Sequence, residues 1–162
     1  MRFPLCPTVS DLDHWMRLSI EIAAEGVAEG ESPFGAVVFN QSGRQIAAAH
    51  NRVRSTGEPS AHAVVLAINQ ACVAEGRLTL EGSWLVTTGE PCPMCAAIAC
   101  LTRVGHVVIG ARADSIKKAG YETLNLDASA FIGFTSATFA LHGPILEREC
   151  NALLLNHPKG ES

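Results

Sequence analysis

Charge is scarce in this chain, and none of it gathers into a patch. Only 17% of the 162 residues are charged, and 16 acidic residues outnumber 12 basic ones for a net charge of −4. Lys117-Lys118 is the sole adjacent basic pair. A protein that grips a phosphate backbone carries a basic stripe. A small, uncharged ligand is therefore expected in preference to tRNA or DNA. Long apolar runs are missing too: none nears the roughly 18–20 residues that a membrane span requires. Met1 to Ser10 lacks a basic region followed by an apolar stretch, so no secretory signal is read and the cytoplasm is the expected location. Repeats, low-complexity tracts and linkers are not found either. What is abundant is apolar: 48% of residues are hydrophobic. That content and length fit one globular domain over residues 1–162 with a sizeable core.

Six cysteines in a chain read as unexported point to metal or core roles rather than disulfides. Cys92 and Cys95 form a C-x-x-C unit. Cys72 and Cys100 sit in apolar helical patterns and read as core, since free cysteine is commonly buried. Cys6 and Cys150 carry no signal.

Periodicity orders the chain. A helix capped at Ser10-Asp11 should run to Gly26–Gly30, followed by a hairpin of strands Phe34–Asn40 and Gln45–His50. Ser60 is placed to cap a helix from Ala61 to about Glu75. A strand at Ser83–Thr87 leads to a helix opened by Pro93 and running to Leu101. A strand at Val104–Gly110, a short helix at Asp114–Ala119 and a last helix at Ile145–Leu155 complete the order. Phe131 to Phe139 is interrupted by Gly, Ser and Thr and fits a covering loop. Strands alternating with helices after a hairpin imply a three-layer α/β/α domain on a mixed sheet of about five strands. Ligands in such sheets bind beyond strand ends, near helix starts. The segments around His62 and Cys92 both fall there.

Zinc takes Cys sulfur and His nitrogen, and a catalytic site keeps three protein ligands and one open position. The two-residue spacing of Cys92 and Cys95, on a turn stiffened by Pro91 and Pro93, lets both thiolates face one ion. A helix N-terminus also favours thiolate. His62, at the start of the preceding helix, is the candidate third ligand. His142 and His157 have no spacing partner and read as non-ligands.

The pattern His-Ala-x followed about thirty residues later by Pro-Cys-Pro-Met-Cys resembles the zinc deaminase signature H-x-E…P-C-x-x-C. With Ser32-Pro-Phe-Gly-Ala-Val-Val38, Asn51-Arg-Val53, Thr88-Gly-Glu90 and the Ala-Gly-Tyr-Glu stretch ending at Glu122, the chain resembles the cytidine-deaminase-like superfamily from about Asp11 to Gly120. It looks closest to the small guanine- and cytosine-type nucleobase deaminases. The resemblance implies Zn2+ on His62, Cys92 and Cys95, hydrolytic deamination of a free nucleobase or related amino-heterocycle, and a homodimer.

One position departs. The family has Glu two residues after the histidine, where it moves protons between water, ring and leaving ammonia. Here Val64 occupies that position. Three accounts fit: an impaired variant of an active enzyme, a natural noncatalytic pseudo-deaminase serving as a binding or scaffold subunit, or transfer of the role to Glu90. The resemblance further places Phe34 beside the base and Asn51 hydrogen-bonding to it. It puts the backbone N–H groups of Ala63 and Cys92 at the reacting edge, and Asp114 or Glu122 on a purine's exocyclic amine. The tail from about residue 124 is expected to cover the site or to cross to a partner subunit, with Phe131, Phe134 or Phe139 capping the base.

Overall fold

A computed structural model describes residues 6 to 160. Five strands form one sheet in the order β2-β1-β3-β4-β5: β1 Gly35–Phe39, β2 Gln45–His50, β3 Trp84–Gly89, β4 His106–Ala111 and β5 Ala140–His142. β1 is antiparallel to both β2 and β3, whereas β3, β4 and β5 are parallel. Side-chain alternation divides the sheet into two dry faces. Ala36, Val38, Leu85, Val107 and Ile109 point to one core with helices α3 Ala63–Glu75, α4 Pro93–Leu101 and α6 Ala128–Gly133. Val37, Phe39, Trp84, Val86 and Val108 point to the other, beneath α1 Val9–Ala28, α5 Ala113–Lys118 and α7 Glu147–Asn156. The expected three-layer α/β/α architecture is the observed one. No described helix is long and apolar enough to cross a membrane.

Element ends moved where caps decided them. Helix α1 starts at Val9 because Thr8 forms a capping box: its hydroxyl accepts from Asp11 N–H at 3.1 Å, and the Asp11 carboxylate accepts from Thr8 N–H at 2.7 Å. Ser10 lies inside the first turn. Helix α3 begins at Ala63, with His62 rather than Ser60 at the N-cap position. The Phe131–Phe139 region is not a simple loop. Asp127 caps α6 by accepting from Ala130 N–H at 2.7 Å, and the chain then enters the three-residue strand β5.

Two contacts fix the sheet end that matters below. At Gly35, an added Cβ would lie 2.3 Å from the Ser19 carbonyl oxygen and 2.7 Å from Ala23 N, so α1 rests directly on the β1 backbone. Glu31 is buried, and its carboxylate accepts from Arg54 N–H at 3.0 Å and Ser55 N–H at 2.8 Å. This bolts the short helix α2 Val53–Thr56 to the chain entering β1. Burial acts to raise the Glu31 carboxyl, but hydrogen bonds from Ser55 and Arg54 outweigh it and hold the carboxyl below its ordinary range.

Gly35→Ala is expected to cost about 1–3 kcal/mol by urea denaturation, because backbone cannot yield to the new methyl. Gly133→Ala, which meets nothing within 4 Å, should be near neutral. The depressed Glu31 pKa stabilises the fold above the ordinary carboxyl range, and the contribution is lost as pH falls through the folded value. Glu31→Gln should therefore lower the urea midpoint at pH 7, and the gap to the unaltered chain should close under acid.

Candidate metal centre and ligand cavity

Because β1 runs opposite to β3, the start of β1, the end of β2 and the ends of β3 and β4 all reach the same edge of the sheet. There α3 and α4 begin. Their N-cap residues are His62 (φ −71°, ψ 149°) and Cys92 (φ −67°, ψ 169°), both extended, and neither side chain bonds its own helix. An N-cap side chain ordinarily accepts from the first turn. These two turn to each other instead. His62 Nδ1 lies 3.7 Å from Cys92 Sγ and 3.5 Å from Cys95 Sγ, and the three ligand atoms fall within 4.8 Å of one another. A tetrahedral zinc bound at its usual bond lengths holds N and S about 3.5 Å apart. The donor set fits that ion, and it is the sole three-ligand cluster among the described residues.

The electrostatics suit a cation. The Cys95 S–H donates to the Cys92 sulfur and lowers Cys92 to about 4; burial opposes this, and His62 adds to it. Cys95 is pushed well up by donating that proton and by burial. The backbone N–H of Val65 and of Cys92 support the Cys95 sulfur.

The cage opens into a cavity of about 350 Å³. Of the residues expected at the ligand, Phe34, Asn51, Ala63, Cys92 and Glu122 line it, and so does Val64, the position of the missing carboxylate. Asn51 is buried; its Oδ1 accepts from Val53 N–H at 3.1 Å, which leaves its NH2 to face a ligand. Val64 is 4% exposed, joins the α3 core and sits two residues after His62 in the first turn of α3. Glu122 Oε1 accepts from the N–H groups of Thr123 and Leu124 at 2.9 and 2.6 Å. Asp114 is a correction: it is exposed in the first turn of α5 and does not line the cavity, because that turn presents Ala113 and Ile116 instead. Glu90 lines the cavity with both oxygens engaged, accepting from Ala113 N–H at 2.8 Å and Ala128 N–H at 3.0 Å. It braces the starts of α5 and α6.

The tail folds back onto its own chain. Thr123, Leu126 and Lys159 reach the cavity wall, but none of the three phenylalanines does. Phe139 is buried in the α3–α4 core, Phe131 packs against that core, and Phe134 is 85% exposed. His142 stands apart from the cage; its Nε2 lies 3.1 Å from Nδ1 of His106, at the start of β4. Sequence reasoning missed Tyr121, Arg54 and Lys159 as lining residues. Tyr121 meets Phe34 edge to face at 5.0 Å, and its hydroxyl donates to the His157 carbonyl at 2.7 Å. Burial pushes that hydroxyl up against the opposing pull of Ser32 and Arg54. As the chain's one tyrosine, it was the available signal.

The family described as the cytidine and deoxycytidylate deaminase zinc-binding region matches residues 9–111. A tRNA-specific adenosine deaminase of Bacillus subtilis is 44% identical over 97 residues, 60% of this chain; the match spans only 60% of that protein's length. A guanine deaminase of the same organism is 36% identical over 109 residues, 67% of this chain and 69% of that protein. A solved guanine deaminase from Nitrosomonas europaea superposes with a TM-score of 0.84 at 25% identity, over 98% of this chain and 96% of that one. The matched span carries the whole cage, His62 with Cys92 and Cys95, and the chain belongs to the cytidine and deoxycytidylate deaminase zinc-binding family.

Proposed function

We propose that the cavity takes a free nucleobase or related amino-heterocycle of guanine or cytosine type, at a zinc site built for hydrolytic deamination, and that Val64 leaves this chain catalytically impaired. The observation that carries the reading is the side-by-side placement of a three-ligand cage and an apolar side chain where the family's proton carrier belongs. Zinc at an open three-ligand site supplies an activated water. His62, Cys92 and Cys95 would hold the ion. Phe34 and Tyr121 pack the ring, the Asn51 amide orients it, and the buried walls exclude bulk water. Deamination replaces the ring amino group by oxygen from water and releases ammonia. Protons must therefore pass to a ring nitrogen and to the departing amine. Val64 can neither take nor give one. Glu90 is spoken for by two backbone N–H groups, which removes it as a substitute.

Support for a small ligand comes from the absence of a basic stripe and from a solved guanine deaminase that superposes over 98% of this chain with a TM-score of 0.84, against 86% and 0.74 for a solved tRNA deaminase. The reading includes a cytoplasmic homodimer. Val73 on α3 and Leu101 on α4 are exposed apolar side chains that a second copy would cover. A second reading, a noncatalytic binding or scaffold subunit, draws on Val64 itself.

The test is ammonia release from a panel of aminopurines and aminopyrimidines by the zinc-loaded chain before and after Val64→Glu. We expect at least a ~10²-fold gain on one base, the lower end of what general acid–base catalysis contributes. Rapid turnover by the unaltered chain would contradict the impairment. Full zinc loading with no gain would favour the subunit reading.

A further inference from the structure

Two histidines that the cage does not use meet at the opposite end of the sheet. His106 opens β4 and His142 closes β5. The strands run parallel, with His106 opposite Ala140 and Val108 opposite His142. The two imidazoles therefore stand diagonally on one face, the face that carries Trp84 and Val108. His106 Nδ1 lies 3.1 Å from His142 Nε2. The two residues are 36 positions apart in the chain, so the fold supplies a partner that no ligand spacing announces.

Trp84 holds both rings. Its indole lies flat on His106, with centroids 3.9 Å apart and planes 10° apart, and leans on His142 at 5.0 Å and 31°. The two histidines are only partly buried, so water and ions reach them. Burial nonetheless holds both imidazoles below their ordinary range, and at His106 the neighbouring His142 adds to it. Neutral imidazole offers a metal its lone pair. Zinc at its usual bond lengths and tetrahedral angle sets two imidazole nitrogens about 3.3 Å apart, close to the spacing found. A proton shared between the rings fits the same distance, and an ion would take that proton's place.

We propose that His106 and His142 form a second metal site, which takes a divalent transition ion such as Zn2+ or Ni2+ and leaves its remaining positions to water. Two protein ligands hold an ion more weakly than the three of the cage, so the cage fills first. The ion staples the edge strand β5 to β4. Strand β5 pairs at only three positions, and the chain beyond it carries α7 and then Lys159 at the cavity wall. The second ion thus secures the tail without entering the cavity.

Tryptophan emission reads this site and not the cage. The chain has two tryptophans, and Trp15 packs edge-on to Trp84 at 6.0 Å, so both belong to this end of the sheet. The chain loaded with one equivalent of Zn2+ is titrated with Ni2+, which quenches a nearby indole, and is dialysed separately against further Zn2+. Quenching should saturate at one Ni2+, and dialysis should leave a second Zn2+ bound. His106→Gln and His142→Gln keep a hydrogen-bonding side chain but remove a metal ligand. Each should raise the half-quenching Ni2+ concentration ~tenfold or more, at least what losing an outer-shell partner of a ligand costs. Each should also retain the cage's single Zn2+, which shows that it folds. The second Zn2+ should raise the urea midpoint of the unaltered chain and leave that of both variants in place. His14→Gln, beside Trp15 on α1, should titrate like the unaltered chain. No second equivalent, or quenching that survives both variants, overturns the site while leaving the cage and its cavity standing. Quenching lost in His14→Gln moves the ion to the surface of α1 and overturns it too.

Discussion

Two helices begin at one point, and the rest of the site follows from that convergence. The N-cap of α3 gives an imidazole, the N-cap of α4 gives a thiolate, and the first turn of α4 gives a second sulfur. The imidazole of one cap and the sulfur of the other face each other and the Cys95 sulfur. The sheet makes the convergence possible. A strand order in which β1 is reversed against β3 brings Phe34 and Asn51, from opposite ends of a hairpin, beside the ends of β3 and β4. Glu90, immediately after β3, then ties the starts of α5 and α6 to the same edge. One carboxylate organises the far wall of the cavity without taking part in its chemistry.

Val64 belongs to two environments at once. It packs in the core between α3 and the sheet, and it borders the cavity beside the cage. A valine there satisfies the core and leaves metal binding untouched, because the family's glutamate is not a ligand. The proposed reading therefore separates two functions that one motif normally joins: His62, Cys92 and Cys95 would hold the ion, while Val64 stands where the family's proton carrier belongs.

The architecture and the cage were legible because their signals are local. Alternating apolar strands, Pro93 at a helix start, and a histidine followed by a C-x-x-C unit each announce themselves within a few residues. Cap positions were less legible. Ser10 and Thr8 are both good caps and each has Asp three residues on, so the sequence did not separate them; the box forms between Thr8 and Asp11. Strand β5 is only three residues long and has no period; it exists because β4 offers an open edge, which no local pattern records. Arg54, Tyr121 and Lys159 were missed as a group because a tail turn fastened to the Ala119–Tyr121 loop assembles them from positions more than a hundred residues apart. Asp114 failed for the converse reason: its neighbourhood in sequence was right, but its face of α5 looks to solvent.

The central claim is an open, three-ligand zinc centre beside a side chain that cannot carry protons. Zinc K-edge absorption on the purified metal-loaded chain tests it most directly. The account predicts two sulfur scatterers near ~2.3 Å, one imidazole nitrogen near ~2.0 Å and one light atom from solvent. A shell of four protein ligands, or one with fewer than two sulfurs, would contradict it.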